Sequence, residues 1–299
     1  MASKNSKAFI ALVFVCIAWG TTYLALRIGV KHFPAFLFAA IRQVTAGLII
    51  MVAAWLMNRR ADHSLANLKH QALIGFLLIT IGNGLVSWAE RVVPSGIAAL
   101  ICSLTPICVV VINLTQAKNE RVNATIVLGM LLGVAGIGLI FKDNLADLSN
   151  GAYLAGMIAI FCATCTWSCG SILSRKKTDE VNPLYDAGLQ LLFGGAFLFI
   201  GSPLVDDYNG EMDLLHPQVI GSMLYLIVIG SVLAYSAYIY AFKNLPVGIA
   251  SIYAYINPMV AVVLGYLILG EQLTWFTVLA FVTIIAGVYL VKYGYKKKP

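Results

Sequence analysis

The chain has 299 residues, of which 60% are hydrophobic and only 11% are charged, and its mean hydropathy is +0.87. A soluble domain of this length needs more polar side chains to cover its surface, so the composition indicates a polytopic membrane protein. The net charge of +7 does not indicate a nucleic-acid-binding protein, because the basic residues are dispersed in short clusters between apolar runs.

Ten apolar runs follow one another along the chain, each close to the length of about 20 residues that a transmembrane helix requires. They cover residues 8–28, 34–57, 71–91, 94–115, 123–141, 151–173, 183–204, 218–242, 246–269 and 274–293. The first run follows Lys4 and Lys7 but is too long for the apolar region of a signal peptide. We therefore expect it to be a retained helix.

The Lys and Arg residues between these runs indicate the orientation. If the N-terminus is cytoplasmic, fifteen of them fall on the cytoplasmic side and four on the other side, namely Arg27, Lys31, Arg91 and Lys142. This strong positive-inside bias predicts an even number of spans with both termini in the cytoplasm.

A thirteen-residue segment, 94–106, recurs at 246–258, and this internal repeat decides the expected architecture. The identical positions are Pro94/Pro246, Gly96/Gly248, Ile97/Ile249, Ala98/Ala250 and Pro106/Pro258. The two copies open the fourth and ninth runs, so the repeat unit contains five helices. Because five is odd, the halves enter the membrane in opposite directions, an arrangement typical of secondary transporters. Trp19 and Trp167 also correspond.

The sequence resembles the drug/metabolite transporter superfamily in its ten-helix form with EamA domains. The resemblance rests on residues 94–100, Pro106 and Glu120 in one half, on 245–251, 257–258, 269–274 and 286–287 in the other, and on 18–20 in the first run. It implies an all-α integral membrane fold with ten transmembrane helices in two inverted five-helix repeats, 8–141 and 151–293. It also implies export or exchange of small metabolites, often amino acids, across the bacterial inner membrane through a central cavity. Related branches carry sugars, nucleotide sugars or drugs.

Two charged residues are candidates for the chemistry of transport. Arg42 lies eight residues past Pro34, about 12 Å along its helix at 1.5 Å per residue, too deep to reach the surface easily. It is either an anchor for a carboxylate or other anionic substrate group, or a structural partner of Glu90 or of backbone carbonyls. Glu90, after Trp88, is either a protonatable coupling residue or an interfacial carboxylate paired with Arg91 or Arg42.

Aromatic and neutral polar side chains at helical spacing predict the lining of the cavity, which would suit an amphipathic or aromatic solute. With Arg42, the candidate binding residues are Trp19, Asn83, Trp88, Ser103, Trp167, Gln190, Tyr235, Tyr238, Tyr253 and Asn257. Aromatic packing and the interfacial belt are the alternative explanation for any single ring. Gln190 occupies about the place in the second half that Arg42 occupies in the first.

Prolines and glycines inside the runs predict local geometry. Pro106 and Pro258 should each free the carbonyl four residues earlier, of Cys102 or Ala254, and so produce either a pivoting kink or a fixed bend. The Gly129–Gly133 spacing predicts tight helix packing, between repeats or between protomers, which leaves a homo-oligomer open. Glu120 and Glu271 follow the fourth and ninth runs, where helix-capping or loop contacts are expected.

Other functions are disfavoured by what the sequence lacks. No His or Asp lies well inside a run, and no Gly-x-Ser-x-Gly or His-Glu-x-x-His motif occurs, which disfavours a membrane enzyme acting on lipids. A channel should show rings of charge or a filter loop, and neither appears in the sequence, which disfavours a channel. Cys162, Cys165 and Cys169 share a helix face, but we expect packing rather than a metal site. We expect no cofactor, and no ATP-binding motif is present, so gradients or exchange should drive transport.

Overall fold

The computed structural model describes residues 2–57, 61–105, 107–108, 111–112, 123–143, 150–174, 183–208, 212–245 and 253–296. Within these ranges the regular structure is helical. The helices are α1 (Ala2–Val30), α2 (Ala35–Leu56), α3 (Leu65–Gly75), α4 (Gly84–Ala89), α5 (Ser95–Cys102), α6 (Ala124–Asp143), α7 (Gly151–Ser174), α8 (Pro183–Val205), α9 (Pro217–Tyr225), α10 (Ala234–Asn244), α11 (Tyr253–Leu269) and α12 (Trp275–Lys296).

Two π-helical stretches, π1 (Phe76–Asn83) and π2 (Leu226–Leu233), join α3 to α4 and α9 to α10 in continuous rods. Each stretch is eight residues long, and the second starts 150 residues after the first, at 226 against 76. π-Helical turns are rare in proteins and are frequently found at functional sites. Their presence in both halves therefore marks these two rods for closer inspection.

Six helices are long and apolar enough to cross a membrane, and the prediction of an all-α membrane fold is confirmed. They are Ser6–Val30, Ala35–Leu56, Leu65–Ala89, Gly151–Ser174, Leu184–Val205 and Pro217–Tyr238, and shorter apolar helices cover Ala124–Gly136, Ile256–Leu269 and Trp275–Val291. These nine coincide with nine of the ten predicted runs. The fourth run, 94–115, begins as α5, and its later part falls largely outside the described residues.

Helices α2 and α5 both begin directly after a proline, whose side chain cannot accept a hydrogen bond from the exposed N–H groups of the first turn. At α2 the missing acceptor comes from Asp206, which lies just beyond the end of α8. Its two carboxylate oxygens accept the N–H groups of Phe36 and Leu37 at 3.0 and 2.9 Å. An anion at this end of a helix is also favoured by the helix dipole.

Glu271 has the same role at the start of α5. Its Oε1 accepts the N–H of Ser95 at 2.8 Å and its Oε2 accepts the N–H of Gly96 at 3.1 Å, while the Ser95 hydroxyl adds a bond of 2.9 Å. The prediction that Glu271 makes capping contacts is therefore confirmed, although the helix it caps lies 175 residues away in the chain. Glu120 lies outside the described residues.

Close approach of helices at glycine explains the packing of α6 against α12. A Cβ atom on Gly129 would lie 2.6 Å from the carbonyl oxygen of Gly287, and a Cβ on Gly287 would lie 2.6 Å from that of Gly129. Gly133 faces Ile107 instead, with a Cβ at 2.4 Å from its Cδ1. The prediction of tight packing at Gly129 and Gly133 is therefore confirmed, with neighbours from the same chain.

We predict that Gly129→Ala destabilises the protein by about 1–3 kcal/mol, because the new methyl group meets backbone atoms that cannot rotate away. Gly138→Ala in the same helix is the matched control, since a Cβ there meets no atom within 4 Å. Unfolding of both variants in detergent, followed by circular dichroism, measures the difference. Equal stability of the two variants would contradict the packing described here.

Candidate functional site

Four of the predicted aromatic residues form one cluster where α1, α10 and α11 meet. The ring centroid of Trp19 lies 5.0 Å from that of Tyr238 and 5.2 Å from that of Tyr253, the latter edge to face. Tyr238 also contacts Tyr253 edge to face at 5.7 Å and Tyr235 at 6.0 Å. Such edge-to-face and tilted contacts are the favoured geometries of aromatic pairs. This group is called the aromatic cluster below.

The aromatic cluster is fixed to π2 by its tryptophan. The Trp19 indole nitrogen donates a hydrogen bond of 3.0 Å to the carbonyl oxygen of Gly230. Asn257 of α11 also contacts α1, where its amide nitrogen, when oriented toward them, is 2.9 Å from the Cys16 carbonyl and 3.0 Å from the Tyr253 carbonyl. Both residues therefore join α1 to helices of the second half.

Arg42 reaches the same π-helical stretch from α2. Its side chain is 7% exposed, and its Nε donates a hydrogen bond of 3.2 Å to the hydroxyl of Ser231. A Cβ on Gly230 would lie 3.6 Å from its Nη2, so the guanidinium lies beside the residue that Trp19 contacts. Within the described ranges, no carboxylate lies within ion-pair distance of Arg42. The structural pair with Glu90 is thus not formed in this structure.

Glu90 is fully buried just after α4, and in the described part of the chain neither of its carboxylate oxygens has a hydrogen-bond partner. It is also not paired with Arg91. The Arg91 guanidinium lies 5.4 Å above the ring of Trp88, and its Nε donates to the Trp88 carbonyl at 3.2 Å. In this structure the Glu90 carboxylate is therefore paired with neither Arg42 nor Arg91, the two partners considered from the sequence.

Arg27, near the end of α1, occupies the space between Glu90 and Glu271. Its Nη1 donates to the backbone carbonyl oxygens of Glu90, at 2.9 Å, and of Val93. Its Nε lies 3.2 Å from Glu271 Oε1. Arg27 and Glu271, together with the capped residues Ser95 and Gly96, are called the Glu271 junction below.

A chain of buried side-chain hydrogen bonds leads away from the aromatic cluster. The Tyr235 hydroxyl donates to Gln190 at 3.2 Å, the Gln190 amide to Gln71 at 2.7 Å, the Gln71 amide to Asn67 at 2.9 Å, and the Asn67 amide to Asp186 at 3.0 Å. It joins α3, α8 and α10. Gln190 and Tyr235 were predicted from the sequence, whereas Asn67, Gln71 and Asp186 were missed.

The remaining candidates lie apart from this group or bond within their own helices. Asn83 donates to the Leu78 carbonyl at 3.4 Å and Ser103 to the Leu100 carbonyl at 2.6 Å. Trp167 packs on π1, where a Cβ on Gly82 would lie 3.1 Å from its ring. Asn83 and Ser103 therefore have their hydrogen-bonding groups directed to backbone in this structure.

The structure describes one of the two prolines that are predicted to kink their helices. Pro258 lies inside α11, which continues past it to Leu269. Pro106 lies outside the described residues, but α5 ends at Cys102, and the Cys102 carbonyl accepts a hydrogen bond of 2.7 Å from the Thr105 hydroxyl. This carbonyl, expected to be freed by Pro106, is therefore bound to a side chain of its own segment.

We predict from the amide chain that Gln71 and Gln190 are energetically coupled. Gln190→Leu leaves the Gln71 oxygen without its buried donor and should cost about 1–3 kcal/mol, and Gln71→Leu should cost a similar amount. The double variant should cost less than the two changes added together, because it removes both partners. Unfolding in mixed micelles measures the free energy of unfolding of the wild type, the two single variants and the double variant. Strict additivity of the two losses would show that the bond contributes nothing.

Comparison with known proteins agrees with this architecture. The EamA-like transporter family matches residues 6–142 and again residues 154–293. The inner membrane transporter YedA of Escherichia coli is 34% identical over 298 residues, covering 97% of this chain and 93% of its own length. The transporter YoaV of Bacillus subtilis is 20% identical, covering 98% and 99%.

Among the solved structures that match is a crystal structure with a TM-score of 0.65 and 19% identity, which covers 95% of this chain and 96% of its own. The names of the family and the relatives are those of transporters rather than enzymes. With a family match along both halves and a relative 34% identical over nearly its whole length, the chain belongs to the EamA-like transporter family of the drug/metabolite transporter superfamily.

Proposed function

We propose that the protein is a secondary transporter that exports or exchanges small organic metabolites, amino acids or related solutes, across the inner membrane by alternating access. The observation that carries this proposal is Arg42. It is a buried cation on a membrane-spanning helix, bonded to a π-helical stretch, adjacent to an aromatic cluster and without a carboxylate partner among the described residues. Charged residues inside spans generally mark a substrate path, because burying them without function is costly.

The proposed binding site has two chemically distinct parts. The Arg42 guanidinium offers charge-assisted hydrogen bonds to a carboxylate, which is the strong mode of recognition for this group. The aromatic cluster offers ring faces and edges to an apolar side chain. Its Trp19 connects the two parts, because the indole bonds to Gly230 beside Arg42. An amino acid with a branched or aromatic side chain presents both chemistries at once.

The proposed architecture is ten transmembrane helices in two inverted repeats, 8–141 and 151–293. Matching contacts in the two halves support it. Trp19 of α1 bonds to Gly230 in π2, while Trp167 of α7 packs on Gly82 in π1, and both steps between the halves are 148 residues (19 to 167 and 82 to 230). The helix pairs agree with this symmetry. Two pairs join corresponding helices of the two halves, since α2 packs on α8 and α6 packs on α12. In the same way, α1 contacts α10 and α11 of the second half, and α7 contacts π1, α4 and α5 of the first half.

The positive-inside bias leads us to place both termini in the cytoplasm. In this orientation the Glu271 junction lies at the external end of the molecule, and the Asn67–Asp186 end of the amide chain lies at the cytoplasmic end. The bonded junction joins the start of α5 to the end of α11, one helix from each half. In this proposal the junction closes the external side in this structure, and the amide chain, which joins α3 to α8, bonds the two halves at the cytoplasmic end as well.

We predict that the purified protein in liposomes catalyses counterflow of amino acids with branched or aromatic side chains. Liposomes loaded with the unlabelled solute should accumulate the labelled one transiently, whereas empty or protein-free liposomes should not. Counterflow isolates exchange from any driving gradient, so it does not depend on the energy source. Absence of counterflow across all amino acids would reject the amino-acid proposal and favour sugars, nucleotides or cationic drugs as solutes.

We predict that Arg42→Ala weakens binding of carboxylate solutes about 10- to 100-fold, since a hydrogen bond to a charged group contributes about 1.5–3 kcal/mol. Arg42→Lys should restore part of the loss, because lysine keeps the charge but not the planar fork. Lys142→Ala is the control, as the Lys142 amino group lies 5.1 Å above the ring of Phe276 and neither residue is a candidate for solute binding. Unchanged counterflow in Arg42→Ala, with intact folding, would show that Arg42 is structural.

A further inference from the structure

The carboxyl group of Glu90 is a buried polar group that the described contacts leave unsatisfied. It is fully buried, and neither oxygen has a hydrogen-bond partner in the part of the chain that the structure describes. An ionised carboxylate in this position would carry a desolvation cost of several kcal/mol with nothing to offset it directly. A neutral carboxylic acid avoids most of that cost, so this structure fits a protonated Glu90.

Ionisable groups from four surrounding segments lie near Glu90. Those close enough to interact with its charge are Tyr23 and Arg27 from α1, Arg42 from α2, Cys102 from α5 and Glu271 from beyond α11. Among these groups, the Arg27 guanidinium already donates a hydrogen bond of 2.9 Å to the backbone carbonyl of Glu90. The same guanidinium lies 3.2 Å from Glu271 Oε1, so two carboxylates compete for one arginine.

We propose that Glu90 is a proton-binding site that controls the Glu271 junction, a role that rests on the transport function proposed above. With Glu90 protonated, Arg27 stays with Glu271, and Glu271 keeps its bonds to the N–H groups of Ser95 and Gly96. When the Glu90 carboxylic acid releases its proton to water, the resulting carboxylate attracts the Arg27 guanidinium, which remains a cation throughout. Glu271 then loses its counter-charge, and the joint between α5 and α11 weakens.

The direction of this effect follows from the contacts. The Glu271 carboxylate is stabilised by two positive partners, the Arg27 guanidinium and the N-terminal end of α5. If Arg27 moves away, only the capping bonds to α5 remain. Low pH therefore closes the junction and high pH loosens it. Glu90→Gln imitates the protonated side chain and should hold the junction closed at every pH. Glu271→Gln removes the anion itself and should loosen the junction at every pH.

Two measurements on the full-length protein in lipid nanodiscs test this without any solute. Infrared difference spectroscopy between acidic and alkaline samples should show a protonated-carboxyl band that disappears in Glu90→Gln. Asp206→Asn is the matched control, because Asp206 caps α2 by the same geometry but takes no part in the proposed movement of Arg27 from Glu271 to Glu90. Its spectrum should keep the band. A band that survives Glu90→Gln would overturn the proton site.

Hydrogen–deuterium exchange of the peptide containing Ser95 and Gly96 reports on the junction itself. Comparing variants at the same pH removes the intrinsic pH dependence of exchange. Wild-type protein should exchange like Glu90→Gln at low pH and several-fold faster than it at high pH, with Glu271→Gln fast throughout. Identical exchange of wild type and Glu90→Gln at all pH values would refute the control of the junction. Either result stands independently of whether amino acids are the solutes.

Discussion

The carboxylate of Glu271 holds together two helices that the chain would otherwise leave incompletely bonded. A helix that begins inside or at the edge of a bilayer cannot rely on water for its first N–H groups. Pro94 fixes the start of α5 but offers no side-chain acceptor, so the acceptor must come from elsewhere in the fold. Glu271 supplies it from the end of α11, and the position of α5 relative to α11 depends on that bond.

Two glycines make this bond geometrically feasible. Gly270 has φ +64°, a conformation that turns the chain back at the end of α11 and that other residues adopt only with strain. A Cβ on Gly265 would lie 2.3 Å from Glu271 Oε2, so the side chain passes through space that only glycine leaves open. The segment 269–274, which supported the family resemblance, is thus explained by the contact that it makes.

Much of the fold was predictable because its signals are local. Hydropathy places nine described helices, and Arg42, Trp19 and Tyr235 stand out as polar or aromatic residues within apolar runs. The contacts between distant segments were not predictable in the same way. In the sequence, Gln71 and Asn67 are ordinary polar residues near the start of a helix. Nothing in the neighbouring sequence indicates that they bond to Gln190 and Asp186 on another helix. The π-helical stretches likewise have no local composition that separates them from α-helix.

The two halves share a framework but not a charge distribution, and this has a consequence for the proposed mechanism. Arg42 bonds to π2, whereas Gln190, at about the matching place in the second half, belongs to a neutral amide chain. Arg27, Arg42, Glu90 and Glu271 together are neutral when all are ionised and carry one positive charge when Glu90 is protonated. A solute carboxylate at Arg42 therefore favours protonation of Glu90, and protonation in turn favours binding of that carboxylate. Such reciprocity is required of any two linked sites. In the proposed mechanism it joins the substrate anchor, the proton site and the closure at Glu271 in one electrostatic unit.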